Sequence, residues 1–214
     1  MNYINLLKEA IETKRSLGEM KDVLKEKISI NDNIVCYFMF RNAIYNKDKD
    51  IFYKNGFRYD ITIIPALLIG EEYNKTYGHY HPSNYGEVYE VLEGNAIFLL
   101  QNEEEKKAIA VYAEKGDVVL IPKGYGHITI NPNKNNTLIM CNIVSDKFIS
   151  IYTSYKEKQG GAFYFTTKGW IKNTHYNDNF ELIEITNKDI NLFLPLNNIY
   201  EEFLKDKDKF KIIE

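Results

Sequence analysis

An all-β fold, a sandwich or barrel of short strands, is what this sequence predicts. Three observations carry the expectation. Apolar runs of strand length recur through the middle of the chain, separated by turn residues. Tyr and Phe number 17 and 12, and their planar rings favour half-buried pleated surfaces. The 214 residues are 44% hydrophobic, enough to build one packed core.

The elements follow in order. Asn5–Lys27 reads as helical, because Leu6, Leu7, Ala10, Ile11 and then Leu17, Met20, Val23, Leu24 recur at helix-like intervals with charges between them. Gly18 is expected to break this stretch into two pieces. Ser29–Asn33 reads as a polar turn, and the compact run Ile34–Phe40 as a strand. Asn55-Gly56 is a hairpin signal ahead of a strand over Tyr59–Ile69. Glu87–Leu92 and Ala96–Gln101 flank Glu93-Gly94-Asn95, again a hairpin pattern. Ile109–Ala113 and Val118–Ile121 flank Glu114-Lys115-Gly116-Asp117, and Ile128–Ile130, Thr137–Val144 and Gly161–Thr166 continue the strand series. The tail from Asn187 is expected to end in a short helix over Asn198–Lys205. With no repeat and no linker, residues 1–214 read as a single domain.

Composition excludes several classes of function. A formal net charge of −3 with no local basic stripe argues against nucleic acid. No apolar run approaches the roughly 18 residues of a spanning helix, and Met1–Ala10 lacks the basic start and apolar middle of a signal peptide. Cys36 and Cys141 sit in apolar stretches without a CxxC spacing, so they read as buried, reduced thiols of a cytoplasmic protein.

The chemistry concentrates in histidine. Of the 4 histidines, three lie between positions 79 and 127. His79 and His81 are two apart, so an extended backbone points them to one face, and Pro82 favours that backbone at His81. Glu87 opens an alternating segment in which Glu87, Tyr89 and Val91 share a face. His127 follows the turn formed by Pro122 and Gly124. Three imidazoles and one carboxylate suit a divalent transition metal with positions left for water or substrate. His175 lies outside this pattern and reads as a surface residue.

Two motifs carry a family resemblance. Gly78-His79-Tyr80-His81, then Glu87 and Gly94, forms the first; Gly116, Pro122, Gly124, His127 and Asn131 form the second. Together they resemble the cupin superfamily, and the longer gap from His81 to Glu87 is a feature of its phosphoglucose isomerase branch. The likeness to that branch extends to Arg15-Ser16-Leu17-Gly18-Glu19-Met20, Tyr59-Asp60-Ile61-Thr62, Lys75-Thr76-Tyr77 and Gly124-Tyr125-Gly126-His127. The resemblance spans roughly residues 15–165 and implies a jelly-roll-like β-barrel over roughly 30–166; around it the apolar pattern leaves an N-terminal helical extension over 1–28 and a C-terminal extension over 167–214 with a short helix, which the resemblance does not cover. It implies His79, His81, Glu87 and His127 as metal ligands. Thr62, Thr76 and Gly78 match positions that hold a substrate phosphate, while Tyr89 and Tyr152 match tyrosines of the sugar site. A further family tyrosine falls near Ile143 or Val144, both aliphatic here. A homodimer is implied by the same resemblance, in keeping with the tendency of open sheet edges to pair.

The activity so implied is interconversion of glucose 6-phosphate and fructose 6-phosphate, a step of glycolysis and gluconeogenesis, with one divalent ion per chain drawn from Fe, Mn, Zn, Ni or Co. The ion would act as a Lewis acid toward oxygens at C1 and C2. Two routes fit the residues: proton removal by a base such as Glu87, or hydride shift between C1 and C2 with Tyr89 positioning or protonating oxygen. Lys75 or Lys123 could add charge for the phosphate. Three other readings stand beside the isomerase: a non-catalytic metal-containing cupin that binds sugar phosphate, an isomerase or epimerase of another sugar phosphate, and an oxygen-using cupin, against which Lys75-Thr76-Tyr77-Gly78-His79 speaks.

Overall fold

The computed structural model describes residues 3–28, 31–82, 84–176, 179–186 and 191–214. Ser29 and Ile30 of the expected polar turn, and the start of the tail at 187–190, lie outside the described residues.

The chain opens with α1 (Tyr3–Leu7), β1 (Ile11–Ser16), α2 (Leu17–Met20) and a 3-10 turn at Lys21–Val23. This corrects the N-terminal helix expected over Asn5–Lys27. Ile11–Ser16 pairs antiparallel with β2 (Val35–Arg41), from Ile11 opposite Arg41 to Arg15 opposite Tyr37. The apolar positions that gave a helical rhythm, Leu6, Leu17, Met20, Val23 and Leu24, are all buried, but by separate short pieces. Gly18 lies inside α2; the break falls earlier, where β2 offers hydrogen bonds that outweigh local helix propensity.

After β2 come α3 (Lys49–Lys54), β3 (Phe57–Ile64), the two-residue strands β4 (Leu68–Ile69) and β5 (Glu72–Tyr73), then β6 (Glu87–Glu93), β7 (Asn95–Asn102), β8 (Lys107–Glu114) and β9 (Val118–Ile121). The chain continues through β10 (Gly126–Ile130), β11 (Leu138–Ser145), α4 (Thr153–Glu157), β12 (Phe163–Thr166), β13 (Gly169–Lys172) and β14 (Glu181–Ile185). It closes with α5 (Ile199–Lys205), as expected for the tail, and a 3-10 segment at Lys207–Ile213.

One sheet runs β1-β2-β3-β11-β6-β9 and faces a second ordered β10-β7-β8-β14; β13-β12-β5-β4 forms a third, smaller one. The result is the expected all-β, jelly-roll-like barrel.

Two expected hairpins are corrected. Asn55-Gly56 closes α3 instead, the two N–H groups donating to Phe52 and Tyr53 carbonyls at 3.1 Å each, since a helix end accepts the same dipeptide as a tight turn. β6 and β7 are not neighbours: β6 pairs with β11 and β9, and β7 with β8 and β10. Gly94, at φ +82°, turns the chain from one sheet to the other, and a Cβ there would lie 2.8 Å from the Thr137 carbonyl. β8 and β9 likewise belong to opposite sheets.

Two apolar cores result. One fills the space between the sheets, with Phe98, Leu100, Val111, Ile128 and Met140. The other coats the outer face of the six-stranded sheet, where Phe52 of α3, Phe203 of α5 and Phe210 pack on Tyr59, Val88 and Cys141. The sheet is therefore buried on both faces, and its inward positions are free to carry polar chemistry.

Candidate active site

Strand register lines up the inward side chains. Thr62 on β3 is opposite Met140 on β11, which is opposite Val91 on β6; two residues along, Asp60, Asn142 and Tyr89 align in the same way. Val144 and Glu87 share the next row. Alternation along each strand sends this whole set to the barrel interior.

His79 and His127 are fixed by a mutual backbone bridge: His79 N–H donates to the His127 carbonyl at 3.2 Å, and His127 N–H returns the bond at 3.0 Å. Between the two motif histidines, Tyr80 turns the other way, its hydroxyl accepting from Gln101 Nε2 at 2.7 Å. Gly78 precedes them at φ +84°, and a Cβ on it would meet Ile128 at 2.6 Å and the Tyr155 ring at 2.9 Å. Only glycine lets the backbone sit that close.

The four expected ligands converge. His79 Nε2 lies 3.1 Å from His81 Nε2, and Glu87 Oε2 lies 3.2 Å from His127 Nε2 and 3.4 Å from His81 Nε2. The four donor atoms all fall within 4.8 Å of one another, and His81, Glu87 and His127 are buried. Glu87 Oε1 accepts from Asn142 Nδ2 at 2.6 Å, whereas Oε2 is buried without a hydrogen bond of proper geometry. A charged oxygen orphaned among three imidazole nitrogens would be costly by itself, and it suits a cation. Metal bonds of roughly 2.0–2.2 Å place neighbouring ligand atoms at separations of this order. The cluster could therefore hold a metal ion.

Protonation states agree with that use. Burial, reinforced by the neighbouring imidazoles, holds His79 well below the usual histidine range. Burial also lowers His127, against the opposing pull of Glu87. For Glu87, burial pushes upward, but the facing His127 and His81 rings outweigh it and hold the carboxyl well below the usual range. Neutral imidazole and ionised carboxylate are the ligating forms.

Beside the cluster opens a cavity lined by Thr62, Thr76, Gly78, Tyr89 and Tyr152 together with His79, Glu87 and His127. The structure thus brings together all nine residues singled out in the sequence, with His81 behind the cavity wall against Phe148. Tyr89 Oη lies 3.2 Å from His127 Nε2, and burial, then Glu87, raises its pKa well above the ordinary range. The Tyr152 ring tilts over His79 at 5.5 Å between centroids. Thr76 Oγ1 accepts the Thr129 N–H at 2.9 Å. The Thr62 hydroxyl and the Gly78 N–H have no hydrogen-bond partner among the described residues.

Two expectations are corrected. Lys75 does not supply charge to the cavity: its Nζ is buried, 2.6 Å from Glu72 Oε1 and 2.7 Å from the Val23 carbonyl. Lys123 is exposed and also absent from the lining. His175 is exposed, as expected. Asn142, Arg41 and Arg58 line the cavity and were missed. Asn142 had a legible signal, a lone polar residue inside the apolar strand Ile139–Val144.

The sequence profile of the glucose-6-phosphate isomerase family matches residues 12–181. A search among curated proteins finds no match. Among solved structures, similarity is found to vicilin from Corylus avellana (hazelnut), at 20% identity over 53% of this chain and 29% of that one, TM-score 0.38. An oxalate oxidase matches at 17% identity over 46% of each chain, TM-score 0.38. A predicted oxalate decarboxylase from Thermotoga maritima matches at 19% identity over 51% of this chain and 79% of that one, TM-score 0.37. This chain therefore spans less than half the length of the first two.

Proposed function

This chain belongs to the cupin-type glucose-6-phosphate isomerase family and is an enzyme, and on that premise we propose that its cavity interconverts glucose 6-phosphate and fructose 6-phosphate. The carrying observation is the convergence of His79, His81, Glu87 and His127 on the wall that also bears Thr62, Thr76 and Gly78. His79, His81, Glu87 and His127 would hold one divalent metal of the Fe, Mn, Zn, Ni or Co class, which would supply Lewis-acid stabilisation of charge on the C1 and C2 oxygens.

The chain's own residues do the rest. Thr62, Thr76 and the Gly78 N–H donate to the phosphate and so fix the distance from it to the reacting carbons. Tyr152 closes over His79 at the sugar. Glu87 has one oxygen held by Asn142 and the other turned to the histidines, which supports a ligand role for Glu87 over that of a base at carbon. Tyr89, kept protonated, is the group placed to donate to a substrate oxygen.

The buried free thiols Cys36 and Cys141 support a cytoplasmic setting. Among the described residues β1 is an edge strand with one partner, which supports a homodimer. We read residues 1–214 as one domain, because β14 and α5 complete a sheet and a core begun by the barrel.

The test is a coupled isomerase assay on fructose 6-phosphate with metal analysis of the same sample. His81→Ala with His127→Ala is expected to remove both metal and turnover, and His175→Ala neither. No turnover by metal-loaded native protein would overturn the reading.

A further inference from the structure

The cavity wall carries a charged group that the isomerase reading does not use. Arg41 ends β2 and Arg58 lies near the start of β3, and both guanidiniums meet one carboxylate. Arg41 Nη1 donates to Asp60 Oδ2 at 2.6 Å, and Arg58 Nε donates to the same oxygen at 2.8 Å. Asp60 is fully buried, and its Oδ1 accepts the Asn42 N–H at 3.0 Å. Arg41 Nη2 touches the Met39 sulfur at 3.3 Å. Among the described residues no other carboxylate is paired with either arginine. Two cations on one anion leave the Arg41–Arg58–Asp60 cluster itself with a net positive charge, beside the Glu87 carboxylate on the same wall. The side chains remain 35% and 25% exposed, with guanidinium donors left over in a cavity that both line.

Their position is defined by the sheet. Arg58 lies four residues from Thr62 along β3, roughly 13 Å at about 3.3 Å per residue. Arg58 is opposite Val144, which is opposite Glu87. Arg58 therefore lies at the Glu87 end of the cavity, away from Thr62, and the Arg41 guanidinium is drawn toward it by the shared Asp60 carboxylate. A ligand with its phosphate at Thr62 presents its far end to them.

We propose that Arg41 and Arg58 form a second oxyanion-binding position, so that the cavity favours open-chain sugar derivatives carrying an acidic group at each end. Phosphate sits on the Thr62 side, and a carboxylate or phosphate at C1 sits against the guanidiniums. The proposal rests on the placement of phosphate given above. Guanidinium donors pair with an oxyanion through parallel charge-assisted hydrogen bonds, which a neutral C1 hydroxyl cannot match. Asp60 is the positioning residue that holds the two side chains together.

Calorimetric titration of the metal-loaded full chain with fructose 6-phosphate, fructose 1,6-bisphosphate and 6-phosphogluconate tests this. At least one doubly acidic probe is expected to bind about tenfold tighter than fructose 6-phosphate, and whichever does so identifies the preferred oxyanion. That margin is expected to vanish in the Arg41→Gln, Arg58→Gln double variant, with metal content measured alongside. If the double variant does not fold, the single variants Arg41→Lys and Arg58→Lys keep charge on Asp60 while removing the fork, and each is expected to shrink the margin severalfold. No margin in the native protein, or one that survives these changes, overturns the proposal. Normal turnover of fructose 6-phosphate without a margin sinks only this inference, whereas an arginine-dependent margin without any turnover sinks the isomerase reading instead.

Discussion

Asn142 shows how one residue can set the chemistry of its neighbour. By holding Glu87 Oε1 at 2.6 Å it leaves Oε2 as the oxygen turned toward the imidazoles. Asn142→Ala is expected to weaken metal binding by about 10–100-fold, as removal of groups supporting a ligand generally does. A metal titration checks this, and activity should return at saturating metal. At the phosphate end, Thr62 and Thr76 differ in a way their sequence does not reveal. Thr76→Val also strands the Thr129 N–H, so it should lower both stability and turnover. Thr62→Val should leave the fold intact and cost about 1–3 kcal/mol of transition-state stabilisation on phosphorylated substrate. Equal losses on fructose and fructose 6-phosphate would remove Thr62 from the phosphate site.

The Glu72–Lys75 pair is almost entirely buried; Lys75 also donates to the Val23 carbonyl, and Glu72 Oε2 accepts the Lys25 N–H at 2.9 Å. It ties the N-terminal turn to β5, next to Thr76. Lys75→Met alone should destabilise by about 3–5 kcal/mol, because it strands a buried carboxylate, while adding Glu72→Leu should restore much of the loss. Urea unfolding of the two variants decides it; a double variant no better than the single one would deny the pair that role. Strand existence was legible, since apolar runs mark β2, β6, β7 and β11 directly. Strand partnership was not. Gly94 reads as a hairpin turn, yet it connects strands of opposite sheets, as Gly116 does, because the partners that complete the ladders lie far along the chain.

At the scale of the whole molecule, the C-terminal segment closes the outer face. Phe203 is fully buried and stacks on Phe52 with ring centroids 4.3 Å apart and planes 17° from parallel. Glu90 accepts the Asn198 and Ile199 N–H groups at 3.2 and 2.8 Å, fastening α5 to β6. Phe203→Ala should cost about 3–5 kcal/mol in thermal or urea unfolding. Acid should loosen the barrel from inside. Folded His79 and His127 have lowered pKa values, so the unfolded chain binds more protons below about pH 6.5. Their contribution is complete above that pH and is lost as pH falls toward the folded values. Glu87, also lowered, adds a loss of the same sign below about pH 4.3. A melting temperature of the metal-free protein that stays constant from pH 7 to 5 would contradict this.

The sequence by itself determined the β-rich class, the three histidines and Glu87, and the phase that puts Tyr89 on the face of Glu87, because alternation and residue chemistry are local properties. The short helix near Asn198 was legible for the same reason. Tertiary structure alone decided that Ile11–Ser16 is a strand, that Lys75 faces Glu72 and not the cavity, and that Arg41 meets Arg58 at Asp60. Each of these depends on a partner distant in sequence whose backbone edge or buried charge must be satisfied, and such partners are chosen only when the sheets close on one another.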